Sequence, residues 1–156
     1  MPQPFTQDDL EAETLYHDRP YFLCGSKHPL ARRRRVDLAE LVDEPWVLPH
    51  ESIFSAYLTQ AFETNGLAAP KLGVRSYSVA QRVSLLTTNR FVSAESGSVL
   101  RFNAAKLPIK VLPVEHTARP WPIGVVTLKS RTVSPVVQTF LKYVRQVAKP
   151  MAKATS

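Results

Sequence analysis

The chain has 156 residues, 44% of them hydrophobic and 21% charged, so it is long enough to bury a core and too apolar to be intrinsically disordered. Its net charge is +7, but the four consecutive arginines at 32–35 supply four of those charges and leave +3 for the other residues. The basic character is therefore local, and the length fits one domain or slightly more.

The single cysteine and the polar N-terminal segment indicate the cellular compartment. A single cysteine, Cys24, cannot form an internal disulfide, and its apolar surroundings (YFLCG) predict a buried small side chain. The N-terminal segment MPQPFTQDDLEAETLYHD is acidic and polar, without the apolar segment of a signal peptide. No apolar stretch reaches the roughly 18 residues that a transmembrane helix needs. We therefore expect a cytoplasmic chain with no membrane partner.

In chain order, the apolar pattern alternates between short continuous runs and stretches of helical period. The run at 21–25 is the first predicted strand, and a short helix starts at Asp37, where Glu40 has capping-box spacing. The segment PWVLP (45–49) predicts a strand between prolines. The next helix covers 51–66, with an N-terminus at 51 or 52 and a glycine at its C-terminal end.

The second half continues this alternation with strand 71–77, helix 78–86, strand 90–94, a helical turn at 98–104, and strands 107–114 and 122–128. The final helix is capped by Ser134 and stopped by Pro150. Apolar strands that alternate with helices predict an α/β fold with a largely parallel sheet covered on both faces. Ligands bind such folds beyond the carboxyl ends of the strands.

Signatures of catalysis and metal binding are missing from the sequence. It has no G-x-S-x-G nucleophile elbow, no phosphate loop and no G-x-G-x-x-G motif after a strand. The histidines have no Cys or His neighbour at ligand spacing: they are His17, His28, His50 and His116. We therefore predict neither an enzyme, nor a metal site, nor a cofactor.

The arginine run at 32–35 precedes the short helix, without interleaved aromatic residues or a second basic cluster nearby. Phosphate contacts alone position a protein on DNA, whereas base recognition needs side chains that reach into a groove. The run therefore favours a solvated loop, and contact with DNA phosphates or an acidic partner is the alternative.

The stretch YFLCGSKHPLARRRRVDLAELVDEPWVLP resembles the LysR-type transcriptional regulators, in which a strand leads to H-P-L-A, a short helix and then P-W-I-L. The stretches AFETNGLAAPKLGVRSYSVAQRVSLL and PIGVVTLKSRTVSPVVQTFLKYVRQVA continue the pattern in order, so the resemblance covers about residues 15–150. Within this family, LLTTNRFVSAESGSVLRFNAAKLPIKVLPV is similar to the galactose-binding-protein regulators.

The resemblance implies an effector-binding domain with the α/β, periplasmic-binding-protein type II fold, present as one complete Rossmann-like subdomain and part of a second. Residues 1–25 would end the first effector subdomain and form a crossing strand. Residues 26–121 would form the second subdomain. Residues 122–156 would form the return strand and a helix packed on the first subdomain.

The winged helix-turn-helix and linker helix of the family have no counterpart in the sequence. We therefore expect a fragment or truncated product that reaches DNA only through the missing N-terminal domain. Strand edges left open by the missing part predict a homodimer. The alternative is a stand-alone solute-binding protein of the same fold.

The resemblance implies a small-molecule effector, a sugar or an organic acid, in the cleft between the subdomains. Helix N-termini at Ser52 and Ser78 can bind anions or hydroxyl groups, and we expect the 88–90 turn to lie beside Ser78. The candidate effector contacts combine polar groups with apolar plates: His50, Glu51, Ser52, Phe54, Ser78, Asn89, Arg90, Trp121 and Ile123.

Overall fold

The computed structural model describes residues 8–49, 53–103, 107–115 and 120–154. The chain divides into two compact units, the first made of Met1–Asp18 and Pro120–Ser156 and the second made of Arg19–Arg119. Within the described residues, a two-stranded sheet lies in the first unit and a five-stranded sheet lies in the second.

Strands and helices alternate through the second unit, as the sequence predicts. The elements in chain order are β1 Leu10–Asp18, β2 Pro20–Gly25, β3 Trp46–Leu48, α1 Ile53–Glu63, β4 Leu72–Arg75, α2 Val79–Thr87, β5 Val92–Ser96, α3 Gly97–Asn103, β6 Ile109–Val111, β7 Trp121–Leu128 and α4 Pro135–Ala154. Two short 3-10 helices, Pro29–Arg32 and Leu38–Leu41, separate β2 from β3. The predicted start of α1 at 51 or 52 lies outside the described residues.

The five-stranded sheet has the order β4-β3-β5-β2-β6. β3 is parallel to β4 and β5, whereas β2 is antiparallel to β5 and β6. The sheet is therefore mixed: four of its five strands run in one direction, as a largely parallel sheet predicts, and only β2 runs in the opposite direction. Helices cover both faces, so a strand of either direction is buried on both sides and reads as a continuous apolar run.

One face of this sheet packs against α1 and the 3-10 helices. Phe22, Trp46 and Phe62 meet there edge to face, with ring centroids 5.8–6.4 Å apart. Such aromatic pairs each add about 1 kcal/mol beyond the burial of their area. Trp46 is fully buried, and its indole N–H donates to the Leu41 carbonyl at 2.7 Å.

Cys24 is fully buried on this face, as its apolar surroundings predict. Burial raises the pKa of the Cys24 thiol to about 11. The arginines at 32–35 are exposed, as expected of a solvated loop. Arg33 pairs with Glu40 at 3.2 Å, an exposed contact that contributes little to stability.

The opposite face of the sheet packs against α2 and α3. Its buried centre is small and consists of Leu23, Val47 and Leu86, with half-buried apolar residues around it. Leu23 and Val47 alternate along their strands with core residues of the first face, because successive side chains of a strand point to opposite sides. The five-stranded sheet is thus covered on both faces, as predicted.

In the first unit, β1 pairs antiparallel with β7, and the register shifts between Thr14 and Tyr16. β1 lies in the acidic and polar N-terminal segment, where the apolar pattern does not predict a strand. Most β1 residues are exposed, and charged or polar residues separate the apolar ones, so β1 has no continuous apolar run. Arg145 of α4 forms a two-pronged ion pair with Glu13, which holds the pKa of the Glu13 carboxyl below its usual range.

Two predicted helix ends have different outcomes. Gly66 has a φ of 70°, and the bonds from Gly66 N–H to Glu63 and from Leu67 N–H to Phe62 form a Schellman motif, which confirms the end of α1. The prediction that Pro150 stops the last helix is wrong, because α4 continues to Ala154. Proline removes one backbone donor, and the affected carbonyl belongs to the exposed Gln146, which water can satisfy.

Candidate functional site

Three parallel strands end at one edge of the sheet in the second unit. Leu48, Arg75 and Ser96 are the last residues of β3, β4 and β5. The Ser76 N–H donates to the Leu48 carbonyl at 2.9 Å and holds the turn after β4 against the end of β3. With strands about 4.8 Å apart, the three ends span roughly 10 Å, the width of a small metabolite.

α2 begins at this edge. The Ser78 hydroxyl accepts a hydrogen bond from the Gln81 N–H at 3.3 Å, so the predicted N-cap is confirmed. An α-helix leaves its other first-turn N–H groups without intrahelical partners, and its dipole places about half a positive charge at the N-terminus. This end of α2 can therefore bind an anion or a hydroxyl group.

Neutral polar side chains surround the N-terminus of α2. The Ser76 hydroxyl donates to the Gln81 amide oxygen at 2.6 Å and accepts from the Ser78 N–H at 3.1 Å. At the end of β5, the Ser96 and Ser98 hydroxyl oxygens are 3.0 Å apart. These hydroxyl and amide groups suit a hydroxylated or carboxylated ligand, because they both donate and accept.

A buried ion pair adjoins the same edge. The Arg82 Nε donates to Glu95 Oε1 at 2.5 Å, and each residue is only 5% exposed. The Arg82 Nη1 also donates to the Ser76 carbonyl at 2.7 Å. One guanidinium thus connects α2, β5 and the turn that follows β4.

A cavity of about 560 Å³ lies on the face of the sheet covered by α2 and α3. This volume falls within the roughly 300–1,000 Å³ of small-molecule pockets. Val79 and Glu95 place one end of the cavity at the carboxyl edge of the strands. Its walls are mainly apolar and come from β2, α2, α3, β6 and the residues just before β6: Leu23, Ala80, Val83, Val99, Leu100, Leu107 and Ile109.

The predicted effector contacts are distributed over both units. His50, Glu51 and Ser52 lie outside the described residues, and so does the side chain of Phe54. Trp121 and Ile123 are half-buried residues of β7 in the first unit. Ser78, Asn89 and Arg90 belong to the second unit, and of these only Ser78 lies at the carboxyl edge.

The expectation that the 88–90 turn lies beside Ser78 is wrong. Ser78 caps the N-terminus of α2 and Thr88 caps its C-terminus, so the helix separates them by about 13 Å at 1.5 Å per residue. Asn89 and Arg90 precede β5 at its amino end, whereas ligands bind such sheets beyond the carboxyl ends. Ser78 and the 88–90 turn are close in sequence, but the direction of α2 carries them to opposite ends of the helix.

Arg82 and Glu95 were not predicted as site residues. A signal was present in the sequence, since Arg82 lies on the inward face of α2 between Val79 and Leu86. A charged residue within an apolar stripe is rarely buried unless it is paired. Glu95 follows the apolar run of β5 and is the matching charge, but only the fold shows that the two meet.

Among the residues that the structure describes, no three His, Cys, Asp or Glu side chains are grouped as they would be around a metal ion. In the same part of the chain, no helix combines the length and the apolar character needed to cross a membrane.

Comparison with known proteins identifies relatives. The model of the family described as "LysR substrate binding domain" matches residues 1–149. No curated protein matches the chain significantly.

Solved structures with the same fold include the effector-binding domain of QuiR in complex with shikimate, with a TM-score of 0.72 and 20% identity over 93% of this chain and 68% of that one. The effector-binding domain of BenM with benzoate has a TM-score of 0.69 and 20% identity, over 94% of this chain and 66% of that one. HinK, a LysR family transcriptional regulator from Pseudomonas aeruginosa, has a TM-score of 0.75 and 20% identity, over 92% of this chain and 49% of that one. At these identities the likeness shows a shared fold.

Proposed function

The chain belongs to the LysR substrate-binding domain family, which has the periplasmic-binding-protein type II fold, and from this premise we propose that it senses a small organic metabolite for a bacterial LysR-type transcriptional regulator. The observation that carries the proposal is the bond between Ser76 and Leu48, which brings the N-terminus of α2 to the shared carboxyl edge of β3 and β4. The family match favours this role over a stand-alone solute-binding protein.

The preferred ligand class is a small carboxylate, with a sugar as the alternative. The partial positive charge at the N-terminus of α2 attracts an anion, whereas the serine hydroxyls and Gln81 accommodate hydroxyl groups. QuiR and BenM are described with shikimate and benzoate, which are both carboxylates. A sugar effector would instead agree with the similarity to the galactose-binding-protein regulators.

We assign the second unit, Arg19–Arg119, to the second effector subdomain, in place of the expected residues 26–121, because β2 pairs within the sheet of that unit. Contact with DNA would be made by another part of a longer regulator, since this chain spans about half of HinK. Under this assignment Trp121 and Ile123 stay candidate effector contacts, and so do His50, Glu51, Ser52 and Phe54.

A homodimer is part of the proposal. Four apolar side chains of α4, spaced by four, three and four residues, form a stripe that is 56–78% exposed: Val136, Phe140, Tyr143 and Val147. This is the spacing by which two helices pair. The stripe is separate from the side of α4 that buries Leu141 and Ala148. A second copy of the helix would cover it.

Thermal unfolding with benzoate, shikimate and galactose tests the ligand class. A ligand that binds only the folded state stabilises it by about 2.7 kcal/mol at 100 times its Kd. We expect a rise in Tm with at least one carboxylate. The absence of a rise with any of the three compounds would contradict the proposal, and a rise with galactose alone would favour the sugar alternative.

The variant Gln81→Glu tests whether the ligand binds at the N-terminus of α2. Glutamate keeps the acceptor for the Ser76 hydroxyl but adds a negative charge beside the bound anion. We expect weaker binding of carboxylates and unchanged binding of galactose, measured by calorimetric titration. Gln138→Glu adds the same charge to the first turn of α4 in the other unit and is the matched control. Equal effects of the two variants would argue against this site.

A further inference from the structure

Burying the ion pair between Arg82 and Glu95 carries a large desolvation penalty. Both residues are 5% exposed, and removing two charges from water costs several kcal/mol, which their attraction only partly offsets. Apolar side chains of similar volume would serve the core of this face at least as well. Stability alone therefore does not account for the pair.

The position of the pair indicates what it does. Arg82 reaches Glu95 near the carboxyl end of β5 with Nε and the carbonyl of Ser76 with Nη1, at 2.5 and 2.7 Å. Because β3 lies between β4 and β5, the guanidinium ties the turn after β4 to a strand that is two places away in the sheet. A planar guanidinium with several fixed donors can hold two acceptors in one geometry.

The Ser76 carbonyl lies at the centre of the turn that presents α2. The same residue binds Leu48 through its N–H, and its hydroxyl contacts both Ser78 and Gln81. Fixing Ser76 therefore fixes the direction of the first turn of α2. In the described residues, none of the buried side-chain nitrogen and oxygen atoms lacks a hydrogen-bond partner, so the network is complete.

We propose that Arg82 and Glu95 are positioning residues of the effector site: their ion pair holds the Ser76–Ser78 turn so that the N-terminus of α2 faces the ligand. This inference rests on the proposed function. It goes beyond the proposed function by assigning a role in ligand affinity to a buried ion pair that acts through the Ser76–Ser78 turn.

The double variant Arg82→Met/Glu95→Leu separates positioning from stability. The apolar pair should fold with a Tm equal to or above that of the parent, because burying it removes no charge from water. We expect the Ser76 and Ser78 amides to exchange hydrogen with solvent at least about tenfold faster, corresponding to the loss of one charge-assisted hydrogen bond. Exchange at the parent rate would overturn the proposal.

The conservative variant Arg82→Lys tests whether a positive charge at position 82 is sufficient to hold the Ser76–Ser78 turn. Lysine can still pair with Glu95, but its compact ammonium does not provide the fork that reaches Ser76 at the same time. We expect the Tm to stay near that of the parent while exchange at Ser78 increases. Full protection of Ser78 in this variant would contradict a role for the guanidinium.

Calorimetric titration with benzoate, shikimate and galactose tests whether the Ser76–Ser78 turn determines ligand affinity. We expect the compounds that bind the parent to bind the double variant about tenfold more weakly. Asp43→Asn is the control, because it breaks an exposed ion pair with Lys71 at 3.3 Å and should leave binding unchanged. Parent-like affinity of the double variant would overturn the positioning role. If the parent binds none of the compounds, the proposed function fails and hydrogen exchange alone decides the positioning role.

Discussion

Asn89 adopts a left-handed backbone conformation, with a φ of 59°, at the turn between α2 and β5. Its Oδ1 accepts from the Lys27 N–H at 2.9 Å and its Nδ2 donates to the Thr87 carbonyl at 3.1 Å. Asparagine is one of the few residues besides glycine that visit this conformation. A Cβ on Gly25 would overlap the Leu86 carbonyl and the Asn89 side chain, so the close approach requires a glycine there. Asn89 therefore ties this turn to the loop after β2.

Substitutions at Asn89 test this structural role. Asn89→Gly keeps the left-handed backbone but loses the bond to Lys27, and should lower the free energy of unfolding by about 1 kcal/mol. Asn89→Ala loses the same bond and adds about 1–2 kcal/mol of backbone strain. Urea unfolding should therefore rank the alanine variant below the glycine variant. The reverse order would show that the backbone conformation is not strained.

At the scale of elements, local signals predicted the helices better than the sheet. The Ser78 cap of α2 and Gly66 at the end of α1 can be predicted from the sequence because capping depends on residues within one turn. The antiparallel direction of β2 cannot be predicted in this way, because a strand covered on both faces has the same apolar pattern in either direction. The largely exposed strand β1 has no continuous apolar run, and its pairing with β7 joins distant parts of the sequence.

The exposed stripe of α4 is the element on which self-association depends. Phe140→Glu places a charge at the centre of the stripe and should convert a dimer into a monomer, because a buried unpaired carboxylate opposes helix pairing. Lys142→Glu makes a larger charge change at an exposed position outside the stripe and should leave the dimer intact. Light scattering measures both masses. A parent chain that is monomeric at all concentrations would contradict the homodimer.

For the whole molecule, the family and the α/β fold could be predicted because weak motifs in a fixed order extend over most of the chain. The candidate site could be predicted only in part. Ser78 is marked by its own local capping signal, whereas the Arg82–Glu95 pair joins residues 13 positions apart and exists only after the sheet is assembled. The placement of Asn89 failed for the same reason, since it required the course of α2 through the fold.

The proposed function places a small metabolite at the carboxyl edge of β3, β4 and β5. Nuclear magnetic resonance of the nitrogen-15-labelled chain, titrated with benzoate, shikimate and galactose, tests it most directly. We expect saturable shifts of the backbone amides at the start of α2 and the end of β5, concentrated at Ser76, Ser78, Gln81 and Ser96. The absence of saturable shifts, or shifts confined to the Asn89 end of α2, would contradict the account.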